Sequence, residues 1–287
     1  MTPQLGPTGE LRDFVDLSMA RRLEGAETLF DEHIAALQRY FPDATSEVIA
    51  GGTAIFVSAY YPANHIVGMG LYGTVTEDDI DSVEHFYHSR RVPCEIVVSP
   101  LADRSLTRLL GKRGYCVSEF NSVLIRRLED CRPVEPPTGL KIERVTNDTE
   151  AAWNGAILRG FAEYGPLPPN LFLPFATIAG SLNFVALLDD VPAGGGMGQI
   201  MQNAGIAALF GTATVPEYRG RGVQTALIHR RLWEAAQAGC EYAVVSTLPG
   251  SGSQRNMERR GFRVAYTKIV MIRTWPELEE QKANDGH

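Results

Sequence analysis

Apolar and polar positions divide the chain into strand-like and helix-like runs. Residues 206–215 (IAALFGTATV) are mostly apolar, with β-branched Ile206, Thr212, Thr214 and Val215, the pattern of a largely buried strand. Pro216 lacks the amide hydrogen that further pairing needs and ends it. From Val223, apolar residues recur at Ala226, Leu227, Trp233 and Ala236, which predicts a long helix with Gly239 as its stop. Tyr242 to Ser246 predict a second strand, and Arg263 to Arg273 a closing one. Upstream, Leu140 to Val145 alternate as a strand. Asn147 and Glu150 have capping spacing for a helix carried by Ala152, Ala156, Ile157 and Phe161. Residues 163–169 (EYGPLPP) are too rich in proline for helix. Leu171, Phe172, Leu173 and Phe175 form an apolar cluster suited to packing between lobes. Asn183 to Leu188 predict a strand, Asp189 to Pro192 a turn, and the glycine-rich 193–198 the start of the next strand. That glycine run fits a bulged hairpin or bare backbone against a substrate, and both readings stay open.

Toward the N-terminus, Leu29, Phe30, Ile34, Leu37 and Phe41 share one helical face that Pro42 ends. Residues 54–61 and 67–75 predict strands. The first ten residues read as a loose tail without a targeting pattern.

The two halves repeat one another. Residues 70–80 (GLYGTVTEDDI) parallel 208–217 (ALFGTATVPE), and Cys94 to Val98 parallel Cys240 to Val245. Lys112-Arg113-Gly114-Tyr115 parallel Arg259-Arg260-Gly261-Phe262, and Val123 to Arg126 parallel Val270 to Arg273. Two copies in the same order, far longer than solenoid units, indicate domain duplication. Asp130 to Pro137 is polar and proline-rich, a stiff connector. The expected division is a first lobe at 1–130, a linker at 131–138 and a second lobe at 139–287. The expected fold class is α+β, each lobe a mixed, mostly antiparallel sheet flanked by helices.

Composition narrows the partners. A net charge of −7 argues against nucleic acid or an anionic membrane as a target. No apolar run approaches membrane-spanning length. The four cysteines lack paired metal spacing, so a cytoplasmic protein with reduced thiols and no metal is expected.

The candidate chemistry lies between the strand at 206–215 and the helix from Val223. Helix-start amides have no internal partner and carry the positive end of the macrodipole. Gly220 and Gly222 let a ligand approach the backbone there, and Arg219 and Arg221 add two cations, which together make a pyrophosphate cradle. No Gly-Lys-Ser/Thr ends the turn, and no GxGxxG occupies it, so neither the P-loop nor the dinucleotide fingerprint applies.

The run Pro216-Glu217-Tyr218-Arg219-Gly220-Arg221-Gly222-Val223-Gln224 resembles the acyl-CoA signature of the GNAT N-acyltransferase superfamily, Gln/Arg-x-x-Gly-x-Gly/Ala. Arg219 and Gly222 match, and Gln224 departs. The resemblance implies an N-acetyltransferase that moves an acetyl or short acyl group from CoA to a primary amine of a small molecule or peptide. It implies that Ala213, Thr214 and Val215 meet the thioester and pantetheine, that Gly220, Arg221, Gly222, Val223, Gln224 and Thr225 hold the pyrophosphate beside Arg219, and that Ser253 lines the pantetheine channel. The asparagine that the family often places three residues before Ser253 is Gly250 here. Glu163 and Tyr164, between the first helix and the next, are candidate acceptor contacts.

The family's usual catalytic groups are missing. Strand 206–215 has no Asp or Glu, and the expected tyrosine, four residues before Gly261, is Met257. Tyr218, Ser251, Ser253 and Tyr266 are substitutes without a distinguishing signal, and the catalytic residues stay unassigned. The alternative is a non-catalytic acyl-CoA sensor. In the first lobe the position of the glycine turn holds Thr76-Glu77-Asp78-Asp79-Ile80-Asp81, with near capping-box spacing and acids that would repel a pyrophosphate. That lobe is expected to bind no CoA, to wall the acceptor pocket, and to offer its exposed face as a candidate homodimer surface.

Overall fold

The computed structural model describes residues 14–28, 31–59, 61–165, 167–176 and 178–278. The tail at 1–10, Leu29, Phe30 and Tyr60 lie outside the described residues, as does the side chain of Tyr164. Helices α1 (Leu17–Gly25) and α2 (Asp31–Gln38) precede strands β1 (Thr45–Ile49), β2 (Gly52–Phe56) and β3 (Ile66–Val67). Helix α3 (Glu77–His88), β4 (Cys94–Val98), α4 (Arg104–Lys112) and β5 (Cys116–Arg127) complete the first half. The second half runs β6 (Leu140–Arg144), α5 (Glu150–Phe161), β7 (Phe184–Leu188), β8 (Val191–Met201), β9 (Ile206–Thr214), α6 (Val223–Gln237), β10 (Tyr242–Thr247), α7 (Gly252–Glu258) and β11 (Arg263–Arg273).

The fold is α+β. Among the described residues, eleven strands form one mixed sheet in the order β1-β2-β3-β4-β11-β5-β10-β9-β8-β7-β6. Most neighbours are antiparallel. The parallel pairs, β3 with β4 and β9 with β10, occupy the same place in each half. The last strands are exchanged: β11 lies between β4 and β5, and β5 lies between β11 and β10. The final strand of each half thus completes the sheet of the other, and main-chain hydrogen bonds hold the halves together.

Helix α1 does not show in the pattern reading above. Asp16 caps it, its carboxylate accepting from Met19 N at 2.8 Å. Met19, Ala20 and Leu23 bury its inner face against β5, β9 and β10 residues of a core that spans both halves. The region read as a strand at 67–75 is mostly turn, with only Ile66–Val67 paired, because Gly68, Gly70 and Gly73 take positive φ and break the ladder. Asn147 is not the cap of α5; Thr149 is the N-cap residue, and its hydroxyl accepts from Thr146 N.

Leu171, with Phe172 and Phe175, packs against Ile34, Leu37, Ile55 and Tyr61, so the apolar cluster does join the halves. The glycine run in β8 is a packing requirement. A β-carbon on Gly195 would sit 2.7 Å from Ile157 Cγ1, and one on Gly196 2.9 Å from Arg231 Cζ. The groups packed against this bare backbone are side chains of α5 and a buried arginine of α6.

Candidate active site at a fork between two parallel strands

Strands β9 and β10 pair only from Ile206 with Tyr242 to Ala208 with Val244. Beyond that point they part, while each arm stays held on its outer edge. β8 pairs β9 to Thr214, and β5 pairs β10 to Thr247. The result is a fork with polar backbone along its inner edges. The hydroxyls Thr214 Oγ1 and Thr247 Oγ1, near the ends of the two arms, are buried without a hydrogen-bond partner. Unsatisfied buried hydroxyls are costly, and a polar ligand in the fork would relieve them.

A bulge shapes the β9 arm. Between Met197 opposite Phe210 and Gly195 opposite Ala213, β9 has two residues where β8 has one. Gly211 there has φ +53°, the left-handed region that favours glycine. Fully buried Arg231 holds the distortion from beneath, donating to Met197 O at 2.5 Å, Thr212 Oγ1 at 2.7 Å and Leu227 O at 3.1 Å. Carbonyls and a hydroxyl, with no carboxylate among them, surround the guanidinium, and burial pulls its pKa down to about 9. This residue gave no signal in the sequence beyond lying on the helix.

Past the β9 arm, a short 3-10 turn at Pro216–Tyr218 leads to the glycine turn. Gly222 is the N-cap of α6 at φ +82°, and no side chain caps the helix. Arg221 and Gly220 are exposed. Arg219 forms a bidentate pair with Glu163, at 3.1 and 3.0 Å, and donates to Gly160 O. Glu163 therefore steadies the glycine turn. Gln224 accepts from Asn256 Nδ2 at 2.8 Å, and Thr225 Oγ1 accepts from Arg260, which ties the first turn of α6 to α7 and its exit. Ser253 is exposed on α7. Pro137 of the connector lies over Gly222, 3.0 Å from where a β-carbon would be.

On the other side of the fork is a cavity of about 370 Å³ between the halves, lined by Ala208 to Gly211 of β9, Val244 to Ser246 of β10, and residues of α2, β2 and the 171–175 segment. At its edge, Ser246 donates to Glu27 Oε1 at 2.5 Å. Lys268 of β11 donates to the other oxygen of Glu27 and to Glu24 Oε2 at 3.3 Å, and Tyr266 donates to Glu24 Oε1 at 2.6 Å. Burial pushes the Glu24 carboxyl up despite Lys268. For Glu27, burial also pushes up, but the Lys268 ion pair and the Lys268 and Ser246 hydrogen bonds outweigh it and the pKa falls. Burial lowers His65, which also lines the cavity, to about 4.

Two of the substitutes weighed from sequence are occupied, while Tyr218 packs half-buried against the core of the second half and Ser253 is exposed. Tyr266 is buried on Glu24, Ser251 caps α7 by accepting from Gln254 N, and Met257 is core. His229 is half-buried, with its pKa lowered by burial and then by Arg260 and Arg126. Sequence reading missed Glu27 because it follows α1, which itself went unread. Asp16 followed by apolar residues at 19, 20 and 23 was the available clue.

Residues 144–262 match the family model described as Acetyltransferase (GNAT) family. No curated protein matches the chain. Among solved structures, a GCN5-related N-acetyltransferase from Kribbella flavida is similar at 16% identity and a TM-score of 0.63, over 91% of this chain and 98% of that one. A tandem GNAT protein from the clavulanic acid biosynthesis pathway is similar at 14% identity and a TM-score of 0.61, over 90% and 93%. A GCN5-related N-acetyltransferase from Sphaerobacter thermophilus is similar at 20% identity and a TM-score of 0.52; the match covers 69% of this chain and spans 64% of that one. These likenesses extend the shared fold across both halves. Among the described residues, no helix is long and apolar enough to cross a membrane.

Proposed function

We propose that the protein transfers an acetyl or short acyl group from CoA to a primary amine, with the second half (139–287) holding the CoA and the first half (1–130) completing the acceptor cavity. The observation that carries this reading is the fork between β9 and β10, which opens to the uncapped start of α6 on one side and the inter-half cavity on the other. The amides of Gly220 to Thr225, with Arg221, suit a pyrophosphate. Arg219 is steered by Glu163. The inner edges of Ala213 to Val215, with the Thr214 and Thr247 hydroxyls, suit the amides and thioester of the pantetheine arm. Ser253 flanks that path.

In the transfer, an amine that arrives as its ammonium first gives one proton to water; its nitrogen then forms the C–N bond, the C–S bond breaks, and the second proton shed by nitrogen ends on the CoA thiolate. Holding both reactants across the fork would supply much of the rate, since well-oriented groups reach effective molarities on the order of 10⁵ M or more. No tyrosine stands at Met257 to protonate the leaving group, which keeps a second reading in view, a protein that binds acyl-CoA without turning it over. Release of free thiol from acetyl-CoA, followed with a panel of primary amines, separates the two. Amine-dependent release, lost in Gly222→Glu, is expected. Tight acetyl-CoA binding with no release for any amine would favour the sensor.

A further inference from the structure

We infer that the acceptor is a cationic primary amine carried on an apolar body without an acidic group, and that Glu27 is the residue that receives its ammonium at the mouth of the fork. The inference rests on the transfer reading above and names its acceptor class.

Four features lead to it. First, the cavity wall is apolar, built largely by Ile55, Leu171, Phe172, Phe175, Leu209 and Val245. Second, its polar side chains are largely engaged with the protein. Asn183 donates to Phe175 O and accepts from Gly198 N, and Gln199 donates to Ala179 O. Third, among the described lining residues Glu27 is the one Asp, Glu, Lys or Arg. Its side chain is 26% exposed, whereas Glu24 and Lys268 behind it are 1% and 3% exposed. Fourth, Ser246, which fixes one oxygen of Glu27, lies two residues beyond Val244, where β9 and β10 part. An amine held by Glu27 is therefore beside the fork.

Glu27 can take another donor. A carboxylate offers about four lone-pair sites, and Ser246 and Lys268 supply one donor each. The cluster places one ammonium, Lys268, between two carboxylates, and the charge of Glu27 is among the causes, after burial, that raise Glu24. A second cation on the open side of Glu27 would relieve that imbalance. The histidines that line the cavity, His33 and His65, are both shifted downward by burial, so they are neutral near pH 7 and bring no competing positive charge. A ligand carboxylate would meet Glu27 with like charge and find no cationic side chain on the cavity wall. The cavity volume, near the low end of small-molecule sites, suits a compact arylalkyl or alkyl amine.

The test uses 2-phenylethylamine as the probe, with phenylalanine and 3-phenylpropanoate as its acid-bearing analogues. Calorimetry on the full-length protein saturated with CoA should show binding of 2-phenylethylamine and at least tenfold weaker binding of both analogues. Glu27→Gln should weaken the probe at least tenfold while leaving acetyl-CoA affinity unchanged, and in turnover should raise KM for the amine more than it lowers kcat. Ser246→Ala, at an exposed position, should weaken the probe several-fold and serves if Glu27→Gln does not fold. Equal binding of phenylalanine, or probe affinity unchanged in the variants, would overturn the inference and leave acetyl-CoA binding untouched. Glu27-dependent probe binding in a protein that fails to bind acetyl-CoA would keep the cavity assignment and remove the transfer reading.

Discussion

The same helix start occurs twice in this molecule and is finished in opposite ways. In the first half, Thr76 and Asp79 close a full capping box on α3, with Asp79 N donating to Thr76 Oγ1 and Thr76 N to Asp79 Oδ2. Arg113, from the repeated Arg-Gly-aromatic motif, then engages Glu77, Asp81 and Glu84 at 2.8, 2.5 and 3.1 Å. Its hydrogen bonds to Asp81 and then to Glu77 raise its pKa. In the second half, Gly222 offers no cap to α6. Arg260, the counterpart of Arg113, meets the hydroxyl of Thr225, and its Nε is buried without a partner. One helix start is closed by its own side chains; the other is left without a side-chain cap. The lesson is that a duplicated helix start can be closed from within: acids of α3 turn the duplicated arginine inward.

The halves differ equally in how a helix pins its sheet. In the first, Tyr87 uses a neutral hydroxyl, bonded to both the N–H and the carbonyl of Ile55 at 3.2 Å. In the second, Arg231 spends a whole buried cation on the bulge beside the fork. Arg231→Met should therefore cost about 3 kcal/mol or more, because it strips several buried acceptors of their donor at once. Tyr87→Phe should cost about 1 kcal/mol. Urea denaturation of the two variants checks the contrast, and similar losses would erase it.

A second expectation concerns pH. His65 has a folded pKa of about 4 against an ordinary 6.5, so the unfolded chain binds more protons between those values. Stability should then fall as pH drops from 6.5 toward 4, by about 2 kcal/mol at pH 5 from this group. Glu27 adds to the loss only at lower pH, since its lowered pKa gives stability that disappears as pH falls through the folded value below 4.5. Thermal melts of His65→Gln should show a flatter profile between pH 6.5 and 5; an unchanged slope would place the dependence elsewhere.

The smallest expected effect is at the cap of α3. Thr76→Ala should cost about 1 kcal/mol of stability with no change in acetyl-CoA affinity. A change in affinity would mean that the first helix start takes part in binding after all.

Much of the second half could be read in the sequence because its signals are contiguous. Strand, proline, glycine turn and helix follow one another from Ile206 to Gln237, each stop set by a residue with its own backbone chemistry. The fork is different in kind. It depends on where pairing between β9 and β10 ends, and the residues of neither strand say where its neighbour leaves it. The exchange of β5 and β11 is equally hidden, since alternation marks a strand without naming its neighbour. Helix α1 was obscured by Arg21 and Arg22 among its apolar positions. With it went Glu27, whose partners Ser246 and Lys268 lie more than two hundred residues away in the sequence.

The central claim is that one of the two helix starts holds the CoA phosphates. Calorimetric titration of acetyl-CoA tests it most directly, using the wild-type protein, Arg221→Glu and Gly222→Glu. The account predicts one site per chain, weakened at least tenfold by Arg221→Glu, whose exposed side chain carries no packing, and lost in Gly222→Glu. Two sites per chain, or a single site indifferent to both substitutions, would contradict it.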